Sequence, residues 1–140
     1  MGKLQDKMQM LIELKGFSPK TRKTYLFCVR HFVAYFDQSP SQLGTDEICA
    51  FLHHLLSERQ LSQSSVSQHY SALKFLYVTV LGQKWEAGRI PRVKRAHTLP
   101  VILSEEEVQR LLQATRNLKH HALLTTIYSG GLRLSETLYL

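Results

Sequence analysis

Two clusters of basic side chains are the residues of this chain best suited to a chemical task, which is the neutralisation of phosphate. Lys20, Arg22 and Lys23 form the first cluster. Acidic residues gather elsewhere, notably at 105–107. Basic clusters separated from acidic ones favour a polyanion partner, although a merely solvated surface is the alternative. The second cluster lies within residues 84–97, where one acid, Glu86, accompanies five cations: Lys84, Arg89, Arg92, Lys94 and Arg95.

The overall composition is that of a basic globular protein. Eighteen Lys and Arg residues against eleven Asp and Glu residues give a formal net charge of +7, and hydrophobic residues make up 44% of the chain. No apolar run approaches the roughly 20 residues that a membrane-spanning helix needs. The first residues mix charges with apolar side chains, unlike a secretory signal. We therefore expect a cytoplasmic protein with no membrane partner.

The metal-ligating and redox-active residue types are sparse. Cys28 and Cys49 are the only two cysteines and lie far apart, so we expect both to be reduced. Neighbouring histidines at 53–54 and 120–121 would point in different directions from a helix, so neither pair predicts a metal site.

A strong helix-start signal precedes the first basic cluster. Ser18 is suited to cap a helix, and Pro19 fits the first helical position. Three cations in the first turn would oppose the helix dipole, which suggests compensation by phosphate; simple tolerance at an exposed end is the alternative. The buried face is predicted from apolar residues at three- and four-residue spacing: Tyr25, Cys28, Val29, Phe32 and Phe36.

Three more helices complete the first unit. One spans about residues 4–15, one begins with Thr45 as its cap, and one opens at Ser62 and ends at Gly82. The last of these has small polar side chains in its first half. Such side chains can enter a DNA groove, although an ordinary helix surface is the alternative. They are Gln63, Ser64, Ser65, Ser67 and Gln68.

Helical periodicity is lost after residue 82 and returns near residue 99. The stretch 83–98 contains the second basic cluster and indicates an interdomain linker, which Trp85 would anchor to one domain. A second unit follows, in which Ser104 and Glu107 form a capping-box signature. A further helix is expected at about 119–128.

A glycine turn lies near the end of the second unit. Gly130 and Gly131 permit a sharp turn before Arg133, and Ser135 could cap one more helix. About 40 residues are too few to bury a stable core unaided, so we expect the sequence to stop within a domain.

The order of these signals resembles that of the tyrosine recombinase (phage integrase) family. The helix start SPKTRKTY, the helix LSQSSVSQHYSALKFLYVTVLG, the segment LPVILSEEEVQRLL and the arginine motif GGLRLSETLYL carry the resemblance. It implies a mainly α fold. A four-helix SAM-like core-binding domain would span 1–82, the linker 83–98, and the first helices of an incomplete catalytic domain 99–140.

The resemblance also implies a chemistry. The family cleaves and rejoins DNA through a tyrosine, with no metal and no nucleotide cofactor. Arg133 matches the family's first catalytic arginine, and Glu136 matches an acid that supports it. The nucleophile follows this motif in the family, and neither Tyr128 nor Tyr139 occupies its position. We therefore expect the chain to bind DNA without recombining it alone, which leaves open whether it is an enzyme.

Double-stranded DNA is the partner that the resemblance implies, with further recombinase protomers on the same DNA. A helical protein-interaction module, or an interfering remnant without a recombination role, is the alternative. The salt dependence of binding distinguishes the two. Charge and position select the following as DNA contacts: Lys20, Arg22, Lys23, Gln63, Ser64, Gln68, Lys74, Arg92, Lys94 and Arg95.

Overall fold

The computed structural model describes residues 2–92 and 99–139, which fall into two compact units, Met1–His97 and Thr98–Leu140. Within the described residues every regular element is helical, so the predicted mainly α, SAM-like class is confirmed. None of the described helices is long and apolar enough to cross a membrane. The first unit contains α1 (Gly2–Leu14), α2 (Pro19–Phe36), α3 (Thr45–Ser57) and α4 (Gln63–Phe75).

The helix starts follow the capping chemistry of the sequence, with one correction. The Ser18 hydroxyl accepts a hydrogen bond from the Thr21 amide at 3.1 Å, and Pro19 is the first residue of α2. Thr45 was expected to cap α3, but the structure places Gly44 at the cap and Thr45 inside the helix. The Glu47 carboxylate accepts the Gly44 amide at 2.8 Å, so the side chain that satisfies this helix end comes from three residues downstream.

Helix α4 is the centre of the first unit. It packs against α2 and α3, while α1 packs against α2 and the segment that follows α4. The α2 face predicted to be buried reaches the core through Cys28, Val29 and Phe32. The inward residues of the predicted fourth helix are all at most 7% exposed, which confirms that prediction: Val66, Tyr70, Leu73, Tyr77 and Val80.

After α4 the backbone widens into a π-helical turn, Leu76–Val80, before Gly82 ends it with a φ of 70°. Two side chains fix this turn. The Tyr77 hydroxyl lies 2.9 Å from the Pro40 carbonyl oxygen, and the Lys7 ammonium donates to the Val80 carbonyl at 2.7 Å. Tyr77 therefore attaches the turn to the segment before α3, and Lys7 satisfies one carbonyl group at the end of the turn.

Part of the predicted linker packs on the first unit. The Trp85 indole donates to the Tyr70 hydroxyl at 3.0 Å and meets that ring edge-on, as expected of an anchor. Ile90 is 1% exposed and belongs to the hydrophobic core. The chain is therefore held against the first unit well beyond residue 82.

The second unit contains α5 (Glu105–Ala114), α6 (Leu118–Gly130) and α7 (Leu134–Thr137). The predicted capping box at Ser104 and Glu107 is confirmed, with reciprocal hydrogen bonds of 2.8 and 3.2 Å. Ser135 was expected to cap the last helix, but the cap position belongs to Arg133. Among its described residues this unit buries Thr137 and no apolar side chain, as expected for so short a segment.

A substitution at Phe32 tests the assignment of the core. Phe32 is fully buried, and its ring meets those of Phe36 and Phe51 at centroid distances of 5.4 and 5.2 Å. We expect Phe32→Ala to lower the free energy of unfolding by about 3–5 kcal/mol, because it leaves a cavity among rings that cannot collapse freely. Urea denaturation measures this change. Phe27→Ala, on the exposed face of the same helix, is the matched control and should cost less than about 1 kcal/mol; equal losses would contradict the assignment of the core.

Candidate nucleic-acid interface

One face of α2 carries a row of exposed side chains. Lys20, Lys23 and Phe27 are exposed and recur at three- and four-residue spacing, so they lie along one side of the helix. Arg22 does not join them, since its guanidinium forms an ion pair with Glu13 of α1. The structure therefore divides the first basic cluster into two lysines open to a ligand and one arginine held within the protein.

The predicted contacts on α4 are all on its surface. Gln63, Ser64, Gln68 and Lys74 are exposed, and the sequence neighbours of Gln68 and Lys74 are buried. Ser64 and Gln68 are one helical turn apart, and Ser71 continues the same row. Small polar side chains thus form the outer edge of the helix that packs directly against α2.

Lys74 and Arg92 line the same cavity, which has a volume of about 330 Å³. One comes from α4 and the other from the chain after Ile90, so only the tertiary structure brings them together. The described lining contains no acidic residue. It adds hydroxyl groups from Tyr25 and Tyr70 to the two cations, while the Ser71 hydroxyl, which also lines the cavity, donates to the Ser67 carbonyl. Cations with neutral donors around an open cavity are a suitable environment for a phosphate oxygen.

The second basic cluster is also divided. The Arg89 guanidinium contacts the Asp46 carboxylate at 3.0 Å and the Glu86 carboxylate at 3.1 Å, so its charge is neutralised within the first unit. No carboxylate among the described residues contacts Arg92, which is therefore open to a ligand in this part of the structure. The two other residues that we predicted from this cluster to contact DNA, Lys94 and Arg95, lie outside the described residues.

A second cavity, of about 230 Å³, opens between α2, the loop that follows α3 and the first half of α4. We call it the α2–α4 cavity. Gln68 was predicted as a contact and Ser65 as a side chain able to enter a groove, but sequence reasoning did not connect them with the other members, which are far apart in the chain. Its lining comprises Thr24, Phe27, Cys28, His31, Arg59, Leu61, Ser65, Gln68 and His69.

Two histidines connect the helices across this cavity. His69 Nδ1 lies 3.0 Å from the Ser65 carbonyl oxygen, which can only accept, so this nitrogen carries the proton in the neutral ring. His69 Nε2 is then an acceptor, and His31 Nδ1 donates to it across 3.3 Å. With both rings neutral, this arrangement of donors and acceptors joins α2 to α4.

Burial opposes protonation of this pair. Desolvation lowers the pKa of His31 below its ordinary value, and electrostatic repulsion from His69, Arg59 and His54, when these are protonated, lowers it further. Desolvation also lowers the pKa of His69, against the opposing effect of the Ser65 carbonyl. A proton added here must enter a partly desolvated space that already holds a guanidinium nearby.

Two other groups are held in their protonated forms. Burial raises the pKa of the Cys28 thiol to about 11. Burial, followed by the nearby Glu47 charge, raises the pKa of the Tyr77 hydroxyl. Neither group is therefore an activated nucleophile, and Cys28 serves as a wall of the cavity and as a core residue.

Arg133 is positioned by the turn that precedes it and by Glu136. Gly131 ends α6 with a φ of 60°, a left-handed conformation that favours glycine, and the chain then turns into α7. The Glu136 carboxylate accepts the Arg133 backbone amide at 2.7 Å and its guanidinium at 3.1 Å. The Arg133 side chain is 84% exposed, so most of its donors face outward.

The sequence matches the family described as "Phage integrase, N-terminal SAM-like domain" over residues 4–87. The chain belongs to the tyrosine recombinase, or phage integrase, family. An integrase/recombinase of Sinorhizobium fredii is 36% identical over 141 residues, which cover 100% of this chain and 46% of that protein. The tyrosine recombinase XerC of Halalkalibacterium halodurans is 33% identical over 136 residues, which cover 87% of this chain and 44% of XerC.

A solved structure shows the same fold. The crystal structure of XerA recombinase matches with a TM-score of 0.57 and 23% identity, covering 90% of this chain and 45% of that one. This tyrosine recombinase chain thus spans less than half the length of each of these three relatives.

The histidine pair makes the stability of the first unit of this recombinase depend on pH. Because both pKa values are lowered on folding, the unfolded chain binds more protons in acid, and stability falls as the pH drops below about 6.5. We expect a lower urea midpoint at about pH 5.5 than at about pH 7.5. In the double variant His31→Asn, His69→Asn, which keeps amide donors at the Nδ1 positions, the difference should shrink. An unchanged difference would show that other groups cause it.

Proposed function

We propose that this chain binds double-stranded DNA through its first unit, as part of a recombinase that acts in DNA integration and recombination. The contacts would come from the exposed row of α2, the polar edge of α4 and the cavity that Lys74 and Arg92 share. Further recombinase protomers would bind the same DNA. The proposed DNA-binding domain spans 1–82, followed by a linker, 83–98, whose first part packs on it.

The observation that carries this proposal is the shared cavity of Lys74 and Arg92. Two cations from separate segments meet there without an acidic residue in the described lining. Elsewhere in the unit Arg22 and Arg89 are paired with carboxylates. Among the described residues, the lysines of the α2 row and the Lys74–Arg92 pair have no carboxylate partner, and a phosphate backbone can compensate their charge.

Arg133 would contribute the chemistry in the second unit, 99–140. A phosphoryl transition state carries extra negative charge, and a guanidinium donates two aligned hydrogen bonds while remaining charged. Glu136 would act as a positioning residue, since it holds both the backbone and one guanidinium nitrogen of Arg133.

These 140 residues are expected to bind DNA without rejoining strands on their own. Tyr128 and Tyr139 are exposed, and neither occupies the position of the family's nucleophile. The first arginine motif by itself supplies charge stabilisation and no attacking group. Strand cleavage and rejoining by this chain would therefore require catalytic groups beyond those seen in its two described units.

Salt-dependent DNA binding tests the proposal. Each phosphate contact adds about 0.9 to the slope of log affinity against log salt. The double variant Lys20→Ala, Lys23→Ala should therefore lower that slope by about 2 and weaken binding to any duplex. Lys74→Ala, Arg92→Ala should do the same. The slope is measured by fluorescence anisotropy of a labelled duplex over a salt series.

Arg22→Ala is the matched control. It removes one positive charge from the same helical turn, but a charge already paired with Glu13. The salt slope of Arg22→Ala should be close to the salt slope of the unaltered chain. The single variants Lys20→Ala and Lys23→Ala should each differ from the unaltered chain by more. Duplex binding that does not weaken with salt would overturn the proposal and favour a protein-interaction module.

A further inference from the structure

Phe27 is an apolar side chain on the exposed, positively charged face of α2. It is 63% exposed, although phenylalanine is usually buried. Its nearest neighbours along the exposed face of α2 are Lys23 and Thr24 on one side and Arg30 on the other. The exposed part of this ring contributes nothing to the core. An apolar surface surrounded by cations suits a partner that presents both negative charges and apolar groups.

Phe27 and Gln68 line the same cavity from opposite helices. The described lining of this α2–α4 cavity contains no carboxylate, and most of its exposed surface is apolar, with polar groups supplied by Thr24, Arg59 and Gln68. The hydrogen bond between His31 and His69 joins α2 to α4 beneath this opening. That bond links the two helices that carry Phe27 and Gln68.

These two side chains match the groups that an A·T base pair displays in the major groove of DNA. Adenine presents N7 as an acceptor and its N6 amino group as a donor, which one glutamine amide can satisfy together. Thymine presents a methyl group, which takes an apolar contact from a side chain such as phenylalanine. A G·C pair offers no methyl group, and its guanine offers two acceptors in place of an acceptor and a donor.

We propose that the α2–α4 cavity reads A·T base pairs, with Gln68 bonded to adenine and Phe27 in contact with the thymine methyl group. This inference rests on the proposed function, because it assigns a sequence preference to the same DNA-binding surface. The lysines of α2 and the Lys74–Arg92 cavity bind phosphates of any sequence, whereas Phe27 and Gln68 favour one kind of base pair.

The test removes one chemical group at a time from the DNA. The probe is a duplex of alternating dA and dT, in which every register offers A·T pairs. Replacing dT with deoxyuridine removes only the methyl group and should weaken binding about fourfold for each thymine contacted, the value of one buried methyl. Replacing dA with 7-deazaadenine removes N7 and should weaken binding about fivefold, the value of one hydrogen bond.

The variants assign each effect to a side chain. Phe27→Ala should bind the thymine and uracil duplexes equally, yet keep its sensitivity to 7-deazaadenine. Phe27→Leu should restore part of the methyl preference. Gln68→Ala should show the opposite pattern. Met10→Ala, which removes an exposed apolar side chain from α1, is the control and should keep both preferences.

Two failures are distinguishable. If the chain binds the alternating duplex with a steep salt dependence but does not distinguish thymine from uracil, or if Phe27→Ala keeps the distinction, the A·T reading is wrong and the proposed DNA binding stands. If no duplex is bound in a salt-dependent manner, the proposed function fails, and the inference fails with it.

Discussion

The packing of α4 against α2 is the interaction on which the rest of the first unit depends. Phe32 and the apolar side chains of α4 meet in its centre, and the histidine pair closes its edge. Once these faces are buried, helical geometry leaves Phe27 and the lysines of α2 outward, beside the polar row that includes Gln68. The candidate interface therefore consists of the faces of α2 and α4 that are not buried in the core.

Ion pairing decides which cations remain for a partner. Arg22 and Arg89 have the same charge as Lys23 and Arg92 and lie within three residues of them in sequence, yet carboxylates of the same unit neutralise the two arginines. A count of basic residues therefore overstates the charge that a polyanion would meet. What attracts a polyanion is the subset of cations that folding leaves unpaired on one surface.

The two units are built differently. The first has a core of side chains that are almost fully buried, extended by Trp85 and Ile90 from the predicted linker. The second has helix caps as good as any in the chain, but among its described residues no buried apolar side chain. Its order comes from local contacts such as the capping box of α5 and the hold of Glu136 on Arg133.

The sequence by itself determined the helices, most of their starts and the stripes that are buried, because caps and periodicity act over a few residues. Ser18 and Ser104 were predicted correctly for that reason. Thr45 and Ser135 were not, since Glu47 and Glu136 satisfy those helix ends from downstream. Only the tertiary structure decided which distant residues meet. The histidine pair and the place of Phe27 beside Gln68 depend on how α2 and α4 cross. The cavity of Lys74 and Arg92 depends on where the chain after Ile90 packs on the first unit. No local pattern encodes either arrangement.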